Sequence, residues 1–267
     1  MNKMEKALHE LSEMDELAAG ASPIHRLCAP GKLLTTIAYI AVVLSFPKYD
    51  LSGLLVMLLY PVLLFQISGV SVGSFFYKLR IVLPLVMAVG LFNPFFDREI
   101  LVTVGGLGVS GGVISMLTLM LKGVLCLMAS YLLMATTPID VLCAALRKFH
   151  VPGTLVTLLL LTYRYIGVMT EELATMTEAY HLRAPGQKGI HVSAWGSFLG
   201  QLLLRSMDRA EELYNSMLLR GYHEHFHYAP VKKCSLGDAL CTFGCIAVFV
   251  LLRIWNVAEL VGGLFVR

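Results

Sequence analysis

The chain has 267 residues, of which 57% are hydrophobic and 15% charged, and its mean hydropathy is +0.73. Soluble domains carry roughly 25% charged residues, so this composition excludes an ordinary globular protein. The net charge of +3 is too small to favour nucleic acid as a partner, and no basic stripe with interleaved aromatic residues is present.

The apolar residues are concentrated in long segments with few or no charged residues, which is typical of helices that cross a lipid bilayer. We therefore predict an all-α integral membrane protein with about five transmembrane helices. The predicted spans are Leu33–Phe46 with its approach from Pro30, Leu51–Val70, Ile81–Phe96, Val113–Thr136 and Leu236–Trp255. Prolines inside Ile81–Phe96 leave a full span or a tilted, re-entrant helix as alternatives for that segment.

Three local features refine this prediction. Pro61 lies inside the second span, so we expect a kink there, with the carbonyl group that loses its partner covered by a neighbouring helix. Lys32, at the start of the first span, is expected to extend its ammonium group to the water boundary. Glycines and alternating valines between Val102 and Gly112 predict a short extended excursion.

Lys122 places a charge near the middle of the span Val113–Thr136. In one interpretation its side chain faces the protein interior and pairs with Asp97 or Glu99. In the other, Lys122 with Asp97 and Glu99 serves a stand-alone carrier or an intramembrane enzyme, because intramembrane charges are often functional. We favour the structural interpretation.

Cysteines and histidines offer a second set of candidate sites. The six cysteines have no CxxC spacing and several lie in apolar segments, so we interpret them as buried free thiols. His223, His225 and His227 alternate, which favours a surface loop over a metal site because tetrahedral sites need converging ligands. No Walker-type glycine loop is present, so any nucleotide chemistry must come from a partner.

Two long polar helices are predicted between Tyr163 and Tyr222, and each ends in a Leu-Arg pair followed by glycine. The first closes with Leu182-Arg183-Ala184-Pro185-Gly186 and the second with Leu219-Arg220-Gly221. Glycine ends a helix, and an arginine in the last turn complements the negative end of the helix dipole. The carboxylates of these helices lie at helical spacing with arginines nearby, so we interpret them as solvated or ion-paired faces of crossing helices.

A short amphipathic helix, Ile139–Phe149, precedes them, with Thr137 as its candidate N-cap and Pro138 at its first position. The apolar piece Thr154–Thr162 that follows is too short to cross a bilayer by itself. We predict residues 1–136 as the N-terminal region with four spans, 137–233 as a coupling block and 234–267 as the region of the last span. Lysine and arginine are concentrated in the block, so we expect it on the cytoplasmic side.

Polar helices with arginine-glycine ends, set before a last transmembrane helix, resemble the T component (EcfT) of energy-coupling factor (ECF) transporters. Ser22-Pro23-Ile24-His25-Arg26-Leu27 and the connection from Thr136 through Pro152 are similar to the cobalt branch of that family, CbiQ. The likeness extends from Ser22 to Trp255. The paired Ala-Arg-Gly signature of the family differs here in its flanking residues, but both arginines are kept.

The resemblance implies a non-enzymatic coupling subunit of an ATP-driven importer for cobalt, nickel or a vitamin. It implies as partners two ATPase subunits (A components), which bind ATP and magnesium, and a membrane-embedded substrate-binding S component. This chain would then need no cofactor of its own. ATPase docking is implied for Arg183, Arg220, Leu182, Leu219, Gly186 and Gly221, and coupling to the substrate subunit for Pro138, Leu142 and Leu146.

Overall fold

A computed structural model describes residues 12–20, 22–92, 100–104, 107–187, 189–222 and 234–255. The chain divides into two compact units. Among the described residues, the membrane unit contains 15–20, 22–92, 100–104, 107–138 and 234–255. The coupling unit contains residues 12–14, 139–187 and 189–222.

The membrane unit consists of helices and one two-stranded antiparallel hairpin. Its helices are α1 (Ala29–Ser45), α2 (Leu51–Met57), α3 (Leu59–Ser68), α4 (Val72–Gly90), α5 (Gly111–Thr136) and α9 (Leu236–Ile254). The hairpin strands are β1 (Ile100–Val104) and β2 (Leu107–Ser110), which confirms the predicted extended excursion before α5.

The coupling unit is entirely helical in its described residues outside short turns. It contains α6 (Ile139–Lys148), α7 (Gly153–Arg183), a 3-10 turn (Val192–Ala194) and α8 (Trp195–Leu219). Helix α6 packs against α7. His150, in the short connection between them, has a φ of +61°, the left-handed conformation that commonly ends a helix.

Five described helical segments are long and apolar enough to cross a membrane, as predicted in number: Leu51–Ser68, Gly73–Gly90, Gly111–Thr136, Gly153–Arg183 and Leu236–Ile254. Their identity differs from the prediction in one place. Helix α1 has only 17 residues, whereas α7 continues unbroken from its apolar start into its polar end. The apolar piece Thr154–Thr162 is too short to cross by itself, but it runs directly into the polar segment and forms one helix of 31 residues with it.

The third predicted span was misplaced. Helix α4 begins at Val72, nine residues before the predicted start, and continues through Pro84 to Gly90. It therefore contains Lys78 and Arg80, whose charges in the sequence indicate a water boundary just before the predicted span. Lys78 lies 5.2 Å from the ring centroid of Tyr131, so a cation–π contact accommodates its charge beside the helix. Residues 93–99, including Asp97 and Glu99, lie outside the described residues.

The predicted effect of Pro61 is confirmed. The second span divides into α2 and α3 at Leu58, three residues before the proline. Proline has no N–H group to donate to the carbonyl group of Met57, four residues earlier. The hydroxyl group of Tyr39, on α1, donates to that carbonyl oxygen at 2.9 Å. Tyr39 is fully buried, so a neighbouring helix satisfies a backbone group that water cannot reach.

Replacing Tyr39 with phenylalanine is expected to destabilise the membrane unit by about 1–3 kcal/mol, because a buried carbonyl group loses its donor. Thermal unfolding in detergent would measure the loss. The matched control is Pro61→Ala, which restores an N–H group four residues after Met57. The Tyr39→Phe penalty should therefore shrink in the Pro61→Ala background, and an equal penalty in both backgrounds would contradict this role of the hydroxyl group.

Helices α1 and α9 pack in parallel along their whole lengths. At the N-terminal ends of both helices, a disulfide bond joins Cys28 to Cys234. Along the pair, a Cβ atom on Gly31 would lie 2.6 Å from the hydroxyl oxygen of Thr242. The rings of Tyr39 and Phe249 meet with centroids 5.3 Å apart in the buried core.

The interpretation of all six cysteines as free thiols was therefore wrong for two of them. Cys28 and Cys234 are bonded, whereas Cys126, Cys143, Cys241 and Cys245 are free. Burial raises the pKa of the Cys143 thiol, and nearby Asp140 acts in the same direction. The paired cysteines are 206 residues apart, so no spacing motif in the sequence marks them.

Among the described residues Lys122 has backbone carbonyl groups as partners, whereas its predicted partners Asp97 and Glu99 lie outside those residues. Its ammonium group donates to the carbonyl oxygens of Phe46 at 2.6 Å and Leu44 at 3.3 Å. The guanidinium group of Arg253 donates to the carbonyl oxygen of Ser45 at 3.1 Å. These carbonyls are at the C-terminal end of α1, where no intrahelical donor remains. The two cations thus cap α1 and complement its dipole, which supports the structural interpretation of Lys122.

Candidate functional site

Helices α7 and α8 are called the arms from here on. The end of the first arm is the C-terminus of α7. Arg183 is its last helical residue, and the N–H group of Ala184 donates to the carbonyl oxygen of Tyr180 at 3.0 Å. The chain then reverses through a turn in which Gln187 N–H donates to the carbonyl oxygen of Ala184 at 3.4 Å. Gly186, with a φ of +92°, occupies the position of this Pro-Gly turn that requires a positive φ.

The turn is held from its own helix. The hydroxyl group of Tyr180 donates to the side-chain carbonyl oxygen of Gln187 at 2.9 Å, and it accepts from the N–H group of His191 at 3.2 Å. One tyrosine near the end of α7 therefore fixes both sides of the loop. Arg183 is presented from a defined backbone and is exposed to solvent.

The end of the second arm, at the C-terminus of α8, is formed by a different hydrogen-bonded motif. Gly221 has a φ of +80°, and its N–H group donates to the carbonyl oxygen of Leu218 at 3.0 Å. The N–H group of Tyr222 donates to the carbonyl oxygen of Met217 at 3.0 Å. These two bonds form the Schellman motif, which needs a left-handed residue at the position of Gly221. Arg220 is the cap residue of this end and is exposed.

Each arginine follows a leucine that contacts almost nothing. Leu182 is 80% exposed and Leu219 is 90% exposed. A single exposed leucine on a surface is ordinary. Here two leucines occupy the same position beside the exposed arginine at two separate helix ends. Arginine is one of the residue types that carry most of the binding energy at protein interfaces, and the exposed leucine beside it offers an apolar surface to the same partner.

The two arms are joined near the middle of each helix. Glu172 of α7 and Arg205 of α8 form an ion pair, as predicted for faces of crossing helices. Arg209 forms a looser pair with Glu212 on its own helix at 3.4 Å. Both pairs are partly exposed, so each adds little stability by itself. The first pair is a direct contact between α7 and α8.

An open groove of about 420 Å³ lies between the arms on one side of the crossing. Its α7 wall includes Leu161 and Tyr165, and its α8 wall includes Leu213 and Met217. Tyr222, which belongs to the Schellman motif, also lines this groove. The geometry of the second arm end is therefore continuous with the apolar seam between the arms.

Residues of the predicted substrate-subunit set lie at the start of the coupling unit or just before it. Helix α6 begins at Ile139, directly after Pro138 and as predicted, and it ends at Lys148, one residue before the predicted end. Leu142 and Leu146 lie one turn apart on one face of α6, and both are half-buried. Cys143, between them, is fully buried. The two leucines are thus only partly available to a partner.

Lys32 has a role that the sequence did not indicate. Its ammonium group donates to the carbonyl oxygen of Thr136 at 2.8 Å and to the hydroxyl oxygen of Thr137 at 3.2 Å. It also approaches the carbonyl oxygen of His25 at 3.4 Å. The ammonium group therefore caps the C-terminal end of α5, at the point where the chain leaves the membrane unit for α6. Its position at the water boundary stays a prediction.

Over residues 12–20, 22–92, 100–104, 107–187, 189–222 and 234–255, no group of three or more histidine, cysteine, aspartate or glutamate side chains is arranged to hold a metal ion. His223, His225 and His227 lie outside the described residues. The features that the structure brings together are thus two helix ends with exposed Leu-Arg pairs and the ion-paired crossing behind them.

The sequence of this chain is similar to those of known transport proteins. The family model described as cobalt transport protein, CbiQ, matches residues 20–228. The chain is 25% identical over 261 residues to the energy-coupling factor transporter transmembrane protein EcfT of Lactococcus lactis, covering 91% of this chain and 97% of that protein.

Shorter similarities link the chain to two metal transport proteins. It is 29% identical over 121 residues to the nickel permease LarQ of Lactiplantibacillus plantarum, covering 45% of this chain. It is 34% identical over 93 residues to the cobalt transport protein CbiQ of Rhodobacter capsulatus, covering 34% of this chain. These two alignments span 44% and 37% of the relatives' own lengths.

Proposed function

Because the chain belongs to the CbiQ family of cobalt transport proteins, we propose that it is the transmembrane coupling subunit of an ATP-driven importer of the energy-coupling factor type. Two cytoplasmic ATPase subunits would supply the work, and a separate membrane subunit would bind the cargo. The observation that carries this proposal is the pair of exposed Leu-Arg helix ends, Leu182-Arg183 and Leu219-Arg220, on arms joined at one crossing.

Arginine suits docking on a partner protein for a physical reason. Its guanidinium group is always charged and presents several donors in a fixed plane, so it binds a carboxylate or a row of carbonyl groups with defined geometry. The neighbouring leucine would fill an apolar groove of the same partner. Two such ends can receive two ATPase subunits, one on Arg183 and one on Arg220.

The arms can transmit movement because their parts are held together. When ATP closes the two ATPases, the ends of α7 and α8 would be drawn towards each other. The ion pair between Glu172 and Arg205 would then act as the pivot. Movement would pass along α7 to α6, with which it packs, and so to Pro138, Leu142 and Leu146 beside the substrate-binding subunit.

Exposed apolar side chains on the arms support contact with that membrane subunit or with lipid. Trp195, Leu199, Leu203 and Met207 recur at intervals of four residues along α8, and each is at least 44% exposed. A charged lever in water would not need such a face. We propose a divalent cobalt or nickel ion as the cargo, in line with the printed names of the family and of LarQ, and expect the cargo subunit to bind it.

The experiment is to purify the chain from membranes together with its partners and reconstitute the complex in liposomes. We expect two ATPase subunits per chain, no ATP hydrolysis by this chain alone, and ATP-dependent uptake of radioactive Co²⁺ or Ni²⁺. Uptake of a vitamin in place of the metal would correct the cargo and keep the coupling function. Transport by the chain with no nucleotide-hydrolysing partner would overturn the proposal.

A further inference from the structure

One short segment at the start of α1 holds the last residues before α6 and the first described residues after the arms. Lys32, in the first turn of α1, holds Thr136 and Thr137, which directly precede α6. Cys28, the residue before α1, is bonded to Cys234, two residues before α9. One fastening is a set of hydrogen bonds and the other is covalent. Only the disulfide bond can be made and broken by thiol–disulfide exchange at constant pH.

The two cysteines differ in exposure. Cys28 is 2% exposed, whereas Cys234 is an exposed residue. Attack of a thiolate from solution is therefore expected at Cys234, with Cys28 as the leaving group. The bonded pair is otherwise well placed to reform, since its Cα atoms are 5.3 Å apart, inside the range of ordinary disulfides.

We propose that Cys28 and Cys234 form a reversible redox site. In its disulfide form the site ties the start of α9, where the chain re-enters the membrane unit after the arms, to the start of α1. The inference rests on the proposed coupling function, because that function places these residues on the cytoplasmic side. That compartment keeps most thiols reduced, so a disulfide there is a state to be switched and not a permanent staple. The partner chemistry is a thiol–disulfide couple of the glutathione or thioredoxin class.

The step balances in atoms and electrons. On oxidation, the two thiols lose two protons and two electrons, and one glutathione disulfide becomes two glutathione thiols. On reduction, a thiolate attacks the sulfur of Cys234 and releases the Cys28 thiol. A second thiol then attacks the mixed disulfide and frees Cys234. No metal or additional oxidant takes part.

The bond restricts movement because of what lies on each side of it. Downstream of Cys234, α9 is already packed on α1 at Gly31, Tyr39 and Ser45. Upstream lies the chain returning from α8, whose end would move in each transport cycle. The covalent link prevents Cys234 from separating from Cys28 at the start of α1. The oxidised protein should therefore couple ATP hydrolysis to transport less efficiently than the reduced protein.

The test uses the whole complex in liposomes, equilibrated with glutathione disulfide or with dithiothreitol. Alkylation with a polyethylene glycol maleimide after denaturation should label four cysteines in the oxidised chain and six in the reduced chain. Peptide mapping should identify the Cys28–Cys234 link. Oxidation should slow ATP-driven uptake several-fold, and dithiothreitol should restore it. Cys28→Ser and Cys234→Ser should each abolish the response, whereas Cys241→Ser, at an exposed free thiol on α9, should keep it.

A second measurement does not depend on transport. Hydrogen exchange of the backbone amides in the first turn of α9 should speed up on reduction of the wild-type chain and be indifferent to redox state in Cys28→Ser. Failure of the disulfide to form in the folded complex would overturn the proposal, as would its formation with no change in exchange or uptake. A redox-dependent exchange rate in a complex that never transports would support the redox site and refute the coupling function.

Discussion

Exchanging Arg220 for glutamate is expected to release one ATPase subunit from the complex and to stop ATP-driven uptake. Arg220 is exposed beside a leucine that is 90% exposed, so its removal leaves the arm folded. Truncation of a central interface arginine typically costs at least about 2 kcal/mol, a weakening of roughly 30-fold. Charge reversal adds repulsion from whatever carboxylate the arginine meets. Arg183→Glu should have an equal effect on the other ATPase subunit.

The alternative role for both arginines is that of simple partners of the helix dipole, and a conservative change separates the two roles. A lysine at position 220 would complement the dipole as well as arginine does. It would not reproduce the planar, multi-donor contact of a guanidinium group. We therefore expect Arg220→Lys to lose most of the ATPase binding, measured by co-purification and by ATP-dependent uptake. Full binding by Arg220→Lys would favour the dipole role.

The matched control is another arginine of the same helix. Arg209 is exposed and pairs with Glu212 at 3.4 Å, one turn away on α8. Such a surface pair is worth roughly 0–1 kcal/mol, so Arg209→Ala should leave both complex assembly and uptake close to those of the wild type. A loss in Arg209→Ala as large as that in Arg220→Ala would mean that charge on α8 matters in general and not at its end.

A structural feature of this chain can be predicted from the sequence when the residues that determine it lie close together along the chain. Local backbone rules predicted the kink at Pro61 and the helix-ending glycine at Gly221, because each is decided within a few residues. The arginine ends were found for the same reason. The extent of α4 was misjudged because charges at Lys78 and Arg80 were taken as a boundary, whereas a helix in a bundle can hold them against an aromatic ring.

Long-range partners could not be predicted in this way. Lys122 lies 76 residues from Phe46, and the sequence offered only the nearer carboxylates Asp97 and Glu99 as partners. Backbone carbonyl groups at helix ends carry no residue signature, so their capping by a distant cation is invisible in the sequence. Lys32 acts in the same way on the end of α5, 104 residues away. The disulfide Cys28–Cys234 is a third case of this kind.

Exchanging Gly31 for alanine is expected to destabilise the membrane unit by about 1–3 kcal/mol, because it overpacks the contact between α1 and α9. The added Cβ atom would lie 2.6 Å from the hydroxyl oxygen of Thr242, well inside contact distance. That hydroxyl group cannot turn away freely, since it donates to the carbonyl oxygen of Asp238 at 2.9 Å on a β-branched side chain. The helices would have to separate close to the Cys28–Cys234 bond. Thermal unfolding of the reduced protein in detergent would measure the loss.

Two further variants make the Gly31 result specific. Gly244→Ala adds the same methyl group to α9 where, among the described residues and apart from the helix backbone and the adjoining residues, no atom lies within 4 Å, so it should be neutral or slightly stabilising through helix propensity. Thr242→Ala removes the clashing oxygen, so Gly31→Ala should cost much less in that background than in the wild type. If the two costs were equal, close packing at Gly31 would not be what holds α1 against α9. The packing of α1 on α9 would then depend on the aromatic core around Tyr39 and Phe249 and on the capping contact of Arg253. In that case the disulfide Cys28–Cys234 would contribute more to holding the first turns of the two helices together.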